Sequence, residues 1–84
     1  MNSKHQKTLQ AIFTKPTLGT LPFSDIEKLL LAVGCALTEG QGSRVRFDKD
    51  DLAFLCHRPH PGKEARRYQV EQAREFLQKL KITP

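Results

Sequence analysis

The chain has 84 residues, of which 38% are hydrophobic, so it has room for one domain with a modest core and none for a separate cofactor domain. Fourteen Lys and Arg residues against nine Asp and Glu give a net charge of +5, which favours an anionic partner such as nucleic acid, an anionic membrane or an acidic protein. No apolar run approaches the roughly 20 residues that cross a bilayer, and the first residues lack the apolar segment of a signal peptide. We therefore expect a cytoplasmic protein without a membrane partner.

The first predicted elements are a short helix and a connector. An amphipathic helix is predicted over residues 4–13, ending near Thr14, from three apolar residues at helical spacing: Leu9, Ile12 and Phe13. Two prolines and a glycine in residues 15–22 exclude regular structure there. We interpret residues 1–22 as an N-terminal helical extension and connector, and residues 23–84 as the domain proper.

A second helix is predicted to start at Ser24. Ser24 and Glu27 have the spacing of a capping box, and acidic groups suit the positive end of a helix dipole. Gly34 is the expected end of this helix. Its buried face is predicted from apolar residues at intervals of three and four: Ile26, Leu29, Leu30 and Val33.

Three strands joined by short turns are predicted next, over Cys35–Glu39, Arg44–Asp48 and Leu52–His57. A last helix is predicted over about Tyr68–Lys81 from an apolar stripe: Val70, Ala73, Phe76, Leu77 and Leu80. The expected fold class is α+β, with the element order α-β-β-β-α and a three-stranded antiparallel sheet. Both helices cover one face of the sheet, and the other face is open to a partner.

The segment Gly42-Ser43-Arg44-Val45-Arg46-Phe47 joins a glycine turn to the second strand. Alternation along a strand sends its two apolar residues into the core and leaves Arg44 and Arg46 outside. The small residues of the turn let a phosphate backbone approach, and the Ser43 hydroxyl can donate a hydrogen bond to it. This pattern suits a polyanion, and it equally fits an ordinary hairpin with a solvated charged face.

The order of elements, with Gly42-Ser43 before the second strand and His60-Pro61 after the third, resembles the HicA toxins of bacterial toxin–antitoxin pairs. The resemblance covers residues 23–84. It implies a fold similar to the double-stranded RNA-binding domain, ribosome-independent cleavage of messenger RNA, and neutralisation by a HicB-like antitoxin. The usual motif of the family is Gly-Ser-His with a catalytic histidine, and this chain has Arg44 in place of that histidine.

Metal-independent RNA cleavage requires a group that takes the proton from a 2′-hydroxyl and a cation that stabilises the charge on the phosphoryl oxygens. Arginine stays protonated at neutral pH, so Arg44 can act as an electrostatic clamp and not as a proton shuttle. We assign the proton step first to His60, which prolines flank in a loop, and second to His57 at the end of the third strand. Either histidine could equally be an ordinary polar surface residue.

The RNA-binding surface is predicted to combine the glycine turn, the arginine strand and a basic loop: Gly42, Ser43, Arg44, Arg46, Lys63, Arg66 and Arg67. The basic loop suits an acidic antitoxin as well as RNA. No cofactor or metal site is predicted, because Cys56 and His57 project to opposite sides of a strand and the acidic residues Asp48, Asp50 and Asp51 are typical of a solvated turn. Cys35 and Cys56 have apolar neighbours and are predicted to be buried free thiols.

Three functions fit these features. The first is an endoribonuclease toxin that an antitoxin holds silent. The second is a HicA-like RNA-binding module with weak or no catalysis, since Arg44 replaces the histidine. The third is a small interaction domain whose basic face binds only protein. Salt-sensitive RNA binding separates the first two from the third, and cleavage separates the first from the second.

Overall fold

The computed structural model describes all 84 residues as three helices and one sheet. The elements in chain order are α1 (Ser3–Phe13), α2 (Phe23–Ala32), β1 (Ala36–Glu39), β2 (Arg44–Lys49), β3 (Leu52–His57) and α3 (Arg67–Lys79). The strands form an antiparallel sheet in the order β1-β2-β3. The predicted α+β fold with its N-terminal helix is therefore confirmed. None of the helices is long and apolar enough to cross a membrane.

The alternation predicted for β2 places one face of the sheet in the core. Val45 is 2% exposed and Phe47 is fully buried, whereas the arginines between them are exposed. Phe54 of β3 stacks between Phe47 and Phe76 of α3, with ring centroids 6.0 Å and 5.7 Å apart. These residues belong to a single cluster of 17 buried apolar residues, most of which the helices supply, so the opposite face of the sheet is left open.

The start of α2 differs from the prediction. The helix begins at Phe23 after a proline, and no side chain caps it, so the capping box of Ser24 and Glu27 is wrong. The reason is tertiary: the Phe23 side chain is only 4% exposed, and its backbone N–H donates a 2.9 Å hydrogen bond to the Lys63 carbonyl. Glu27 instead pairs with Arg58.

The C-terminal ends of α2 and α3 are each determined by a residue with a positive φ angle. Gly34 ends α2 as predicted, with a φ of 102° that suits glycine. The last helix ends at Lys79, two residues before its predicted end, because the chain reverses in a Schellman motif. In that motif the Ile82 N–H donates to the Leu77 carbonyl at 2.9 Å, and Lys81 has a φ of 60°.

The N-terminal helix packs into the same core as the rest of the chain. Leu9 is 5% exposed and Ile12 is fully buried. Arg74 of α3 secures the end of α1, since its Nε donates to the Ile12 carbonyl at 2.8 Å and its Nη2 to the Thr14 carbonyl at 3.2 Å. The predicted end of the helix near Thr14 is confirmed. The division of the chain between residues 22 and 23 stays a prediction.

Candidate nucleic-acid interface

A four-residue turn presents Ser43 at the start of β2. The Gly40 N–H donates to the Arg44 carbonyl at 2.9 Å, and the Arg44 N–H donates to the Gln41 carbonyl at 3.2 Å. Gly42 has a φ of 63°, and a Cβ at this position would meet no atom within 4 Å. Only the backbone conformation therefore requires glycine here, and the space above the turn is open to a ligand.

Ser43 and His57 meet across the strand pair β2–β3. Arg44 lies opposite His57 in the register, and the Ser43 Oγ is 3.3 Å from the His57 Nδ1. The Arg58 N–H also donates to the Ser43 carbonyl at 2.8 Å, so the backbones are fixed on both sides of the pair. The imidazole is exposed and its Nε2 makes no hydrogen bond. The structure thus brings a serine hydroxyl and an imidazole together at one end of the sheet, with Arg44 opposite the imidazole in the strand register.

The uncovered side of the sheet, which we call the open face, carries more than this pair. It is formed by the outward side chains of the three strands, among them Thr38, Arg44, Arg46, Leu55 and His57. Thr38, Arg46 and Leu55 lie opposite one another in a row across the sheet. A shallow depression of about 190 Å³ lies on this face between the Arg44 and Arg46 side chains and Leu55.

The two arginines of the open face differ in their partners. The Arg46 Nε is 3.0 Å from both carboxylate oxygens of Asp48, in an ion pair whose side chains are 52% and 39% exposed. Such an exposed pair contributes about 0–1 kcal/mol, so a phosphate can compete with Asp48 for the guanidinium. Arg44 has no carboxylate partner. It is the cation of this face that is free to bind an anion.

Arg58 forms a separate ion cluster on the helix side of the sheet. Its guanidinium holds Glu27 with two hydrogen bonds of 3.0 Å and 3.1 Å and also donates to Glu39. These hydrogen bonds raise the pKa of Arg58 above its ordinary value, and those to Glu27 have a larger effect than the one to Glu39. The cluster joins α2, β1 and the end of β3. Two carboxylates neutralise its positive charge. Arg58 therefore connects the elements around the site and does not present a free cation to RNA.

A family model described as the HicA toxin of bacterial toxin–antitoxin systems matches residues 23–82, more than two thirds of the chain. The chain belongs to the HicA toxin family. Comparisons with curated proteins and with solved structures found no significant match. The match begins at the first residue of α2, so α1 and its connector lie outside the HicA region.

A buried glutamine of this HicA domain holds the backbone of His57 in place. Gln69 is 2% exposed, and its Nε2 donates to the His57 carbonyl at 2.8 Å and to the Cys56 Sγ at 3.2 Å. Its Oε1 accepts a 2.9 Å hydrogen bond from the Arg66 N–H at the start of α3. Sequence reasoning missed this residue. The signal available in the sequence is the position of Gln69 three residues after the N-cap residue Arg66, where a glutamine side chain commonly accepts from the backbone N–H of the N-cap residue.

The two cysteines are free and buried, as predicted. Burial raises the pKa of the Cys35 thiol, and it raises the pKa of the Cys56 thiol despite hydrogen bonds to the His57 backbone and to Gln69. Both thiols are therefore protonated at neutral pH and unsuited to nucleophilic chemistry. Cys56 and His57 point to opposite sides of β3, and no three His, Cys, Asp or Glu side chains in the HicA structure are grouped as metal ligands.

His60 is not hydrogen-bonded to the Ser43–His57 pair and has neighbours of its own. It is exposed in the loop between β3 and α3, where it lines a cavity of about 370 Å³ together with Gly19 and Arg66. It makes no hydrogen bond to Ser43, Arg44 or His57. The two histidines considered for the proton step therefore have different neighbours in the HicA domain.

The basic loop forms a second cationic surface, made of Lys63, Arg66 and Arg67. Lys63 borders a cleft of about 510 Å³ that the Arg58 side chain also lines. Arg67 is partly committed to the connector, because its Nε donates to the Thr17 carbonyl at 3.2 Å and its guanidinium packs on Gly19. The predicted RNA-binding residues thus fall into two groups, the open face and this loop.

Proposed function

We propose that this HicA protein is the toxin of a toxin–antitoxin pair, an endoribonuclease that cuts messenger RNA in the cytoplasm and that a HicB-like antitoxin neutralises. Family membership supports the toxin role, and the net charge of +5 supports a polyanionic substrate. The observation that carries the proposal is the 3.3 Å contact between the Ser43 Oγ and the His57 Nδ1 beside the unpaired Arg44.

The proton step in this proposal belongs to His57, and the contact with Ser43 supports that choice. When the Nδ1–H of a neutral imidazole donates to the Ser43 Oγ, the Nε2 is left as the acceptor, and it faces solvent on the open face. His57 then takes the proton of the 2′-hydroxyl, and the 2′-oxygen attacks the adjacent phosphorus. The bond from phosphorus to the 5′-oxygen breaks, and that oxygen takes a proton from water. The hydroxide left behind takes the proton from the His57 imidazolium, which restores the neutral imidazole. The products are a 2′,3′-cyclic phosphate and a 5′-hydroxyl end.

Arg44 is the proposed electrostatic partner of this step. It lies opposite His57, and no carboxylate competes for its guanidinium. Two parallel N–H donors suit the non-bridging oxygens of a phosphate, which gain charge as the phosphorus becomes five-coordinate. Arg46 is placed to hold a neighbouring phosphate. Gly42 lets the backbone of the RNA approach the turn.

His57 is preferred over His60 for the proton step. His57 has a hydrogen-bonding partner that orients its ring and lies opposite Arg44, whereas the His60 ring has no hydrogen-bonding partner, although Arg66 lines the same cavity. We propose that the loop of Lys63, Arg66 and Arg67 binds RNA phosphates outside the reacting nucleotide, and that an acidic antitoxin covers the same charges.

The test is cleavage of a defined RNA in the presence of a chelator. The parent is compared with His57→Ala, Arg44→Ala and His60→Ala, all purified identically, and His5→Ala serves as the matched control because His5 lies in α1. Cleavage should vanish in His57→Ala, fall by about 10²–10³-fold in Arg44→Ala, and persist in the two other variants. A 2′-deoxy substitution at the cut position should block the reaction. Equal cleavage by His57→Ala and the parent would show that the assignment is wrong.

The second candidate is an RNA-binding HicA protein without cleavage. The observation that favours it is Arg44 itself, which stands where the family motif has its histidine and cannot exchange a proton at neutral pH. Salt-sensitive RNA binding by the parent, with no cleavage under any buffer condition, would establish this second function.

A further inference from the structure

The exposed leucine of the sheet has no structural use in the chain itself. Leu55 is 60% exposed, and it is the one strongly exposed large apolar side chain on the sheet. The core does not need it, because β3 buries its inward residues Phe54 and Cys56 on the other face. A single exposed leucine is ordinary by itself. This one borders the depression that Arg44 and Arg46 also line, so the open face offers an apolar and a cationic surface to one ligand.

Three neighbours of Leu55 on the open face are cationic or titratable, and Ala53 and the carboxylate of Asp48 lie on its other side. Arg46 lies directly opposite it, His57 is the next outward residue on the same strand, and Arg44 lies diagonally across the strand pair. Side chains in these positions are about 4.5–5.5 Å apart when opposite and about 7–8 Å apart on the diagonal. The depression between the two arginines opens directly beside Leu55. Leu55 therefore sits at the centre of the proposed phosphate site.

We infer that the open face binds an unpaired RNA nucleotide, with the base on Leu55 and the flanking phosphates on Arg44 and Arg46. The inference rests on the proposed function in one respect, namely that RNA is the ligand. A nucleobase offers a flat apolar face next to a charged backbone, which matches an apolar side chain ringed by guanidinium groups. Any base can make this contact, so the subsite is tolerant of sequence.

A duplex does not suit this face. In A-form RNA the bases are stacked inside the helix, and a protein meets mostly riboses and phosphates. Leu55 would then be pressed against a polar surface without a partner. Sheet surfaces that bind RNA through exposed side chains take unpaired bases splayed out of the strand. The open face thus selects single-stranded segments, although the fold class is associated with duplex RNA.

The test measures binding by fluorescence anisotropy with oligonucleotides of 2′-O-methyl RNA, which lack the nucleophile and stay intact during the measurement. The proteins are the full-length parent, Leu55→Ala, Leu55→Phe and a matched control, Leu31→Ala. Leu31 is 44% exposed on α2, which covers the opposite side of the sheet. Leu55→Ala should weaken binding of a single strand by about three- to tenfold, and Leu55→Phe should strengthen it by a similar factor, because an aromatic ring stacks better on a base. Leu31→Ala should match the parent.

Two further ligands isolate the contact with the base. A strand of the same length made only of abasic residues should bind the parent and Leu55→Ala equally, and so should a duplex. Equal single-strand affinity of all four proteins would overturn the inference, and so would an equal loss for single strands, duplexes and abasic strands. It is also overturned if Leu55→Ala weakens only the binding of a purified acidic antitoxin, since the face would then be a protein interface.

The two proposals can fail separately. A parent that binds single strands through Leu55 but cuts no RNA would refute the proposed cleavage and leave the base subsite standing. A parent that cuts RNA while the Leu55 variants bind single strands unchanged would refute the subsite alone. A parent that binds no RNA would overturn both.

Discussion

The Nε2 of Gln69 donates a 2.8 Å hydrogen bond to the carbonyl oxygen of His57. A buried side chain of α3 thereby fixes the backbone of the histidine that faces Ser43 on the other side of the sheet. The Oε1 of the same side chain accepts from the Arg66 N–H, so Gln69 binds the last residue of β3 and also caps the start of α3. The proposed site depends on the docking of the last helix as well as on the strands.

Replacing Gln69 should therefore affect both stability and cleavage. Gln69→Leu preserves the bulk of the side chain but leaves the Arg66 N–H without a partner and the His57 carbonyl with only the weak Cys56 thiol donor, which should cost about 1–3 kcal/mol in the free energy of unfolding. Urea denaturation measures this cost. Gln72→Leu, at an exposed position of α3, is the matched control and should change stability by less than about 0.5 kcal/mol.

The effect on catalysis should appear in kcat more than in RNA affinity, because the hydrogen bond positions His57 and touches no phosphate. Gln69→Leu should lower the cleavage rate at least tenfold at temperatures where the variant remains folded, with a small change in binding. A variant that is destabilised but cuts at the parental rate would show that Gln69 is structural only.

The ion cluster of Arg58 should contribute to stability through its geometry. Arg58→Met keeps the apolar stem but removes the hydrogen bonds to Glu27 and Glu39, and it should lower the free energy of unfolding by about 1 kcal/mol, since the cluster is only partly shielded from solvent. Arg58→Lys should not restore the loss, because an ammonium group cannot make the two parallel bonds to Glu27.

Lys79→Met is the control for the Arg58 variants. It breaks a 3.5 Å pair with Glu75 whose side chains are 60% and 68% exposed, and it should cost no more than about 0.5 kcal/mol. Thermal or urea denaturation compares the variants. Equal losses in Arg58→Met and Lys79→Met would mean that the cluster acts as an ordinary surface pair.

The outward and inward faces of β2 could be predicted from the sequence because strand alternation is a local rule. The contact between Ser43 and His57 could not be assigned in the same way, since it depends on the register between β2 and β3. That register is set by the two-residue turn at Asp50 and Asp51, whose φ angles of 53° and 65° pair Lys49 with Leu52 and hence bring the strand ends together.

Long-range pairing explains the remaining differences. Arg58 finds Glu27 from 31 residues away and Glu39 from 19 residues away, and no local pattern links them. The capping-box pattern at Ser24 is a local signal that tertiary contacts override, because burial of Phe23 starts the helix earlier. The flanking prolines favour His60 for the proton step from sequence alone. The neighbours of its side chain depend on the conformation of the loop, which the sequence pattern does not predict.

The N-terminal helix should be required for stability although the family match excludes it. Ile12 is fully buried, so Ile12→Ala should lower the free energy of unfolding by about 2–5 kcal/mol. Gln10→Ala, at an exposed position of the same helix, should have little effect. Thermal unfolding checks both. A small loss for Ile12→Ala would indicate that α1 is dispensable and that residues 23–84 form the stable unit.

The buried thiols should make the fold sensitive to alkaline pH. Burial raises the pKa of Cys35 and Cys56 above the ordinary pKa of a thiol, so the folded state retains these protons at a pH where the unfolded chain has released them. Stability from the neutral thiols is therefore fully present below about pH 9 and declines as the pH rises towards the folded pKa values.

The measurement is the free energy of unfolding in urea at about pH 8 and about pH 10, for the parent and for the double variant Cys35→Ala, Cys56→Ala. The parent should lose more stability over this interval than the double variant, which lacks both groups but retains every lysine and tyrosine. Parallel loss in the two proteins would mean that the thiols titrate alike in the folded and unfolded chains.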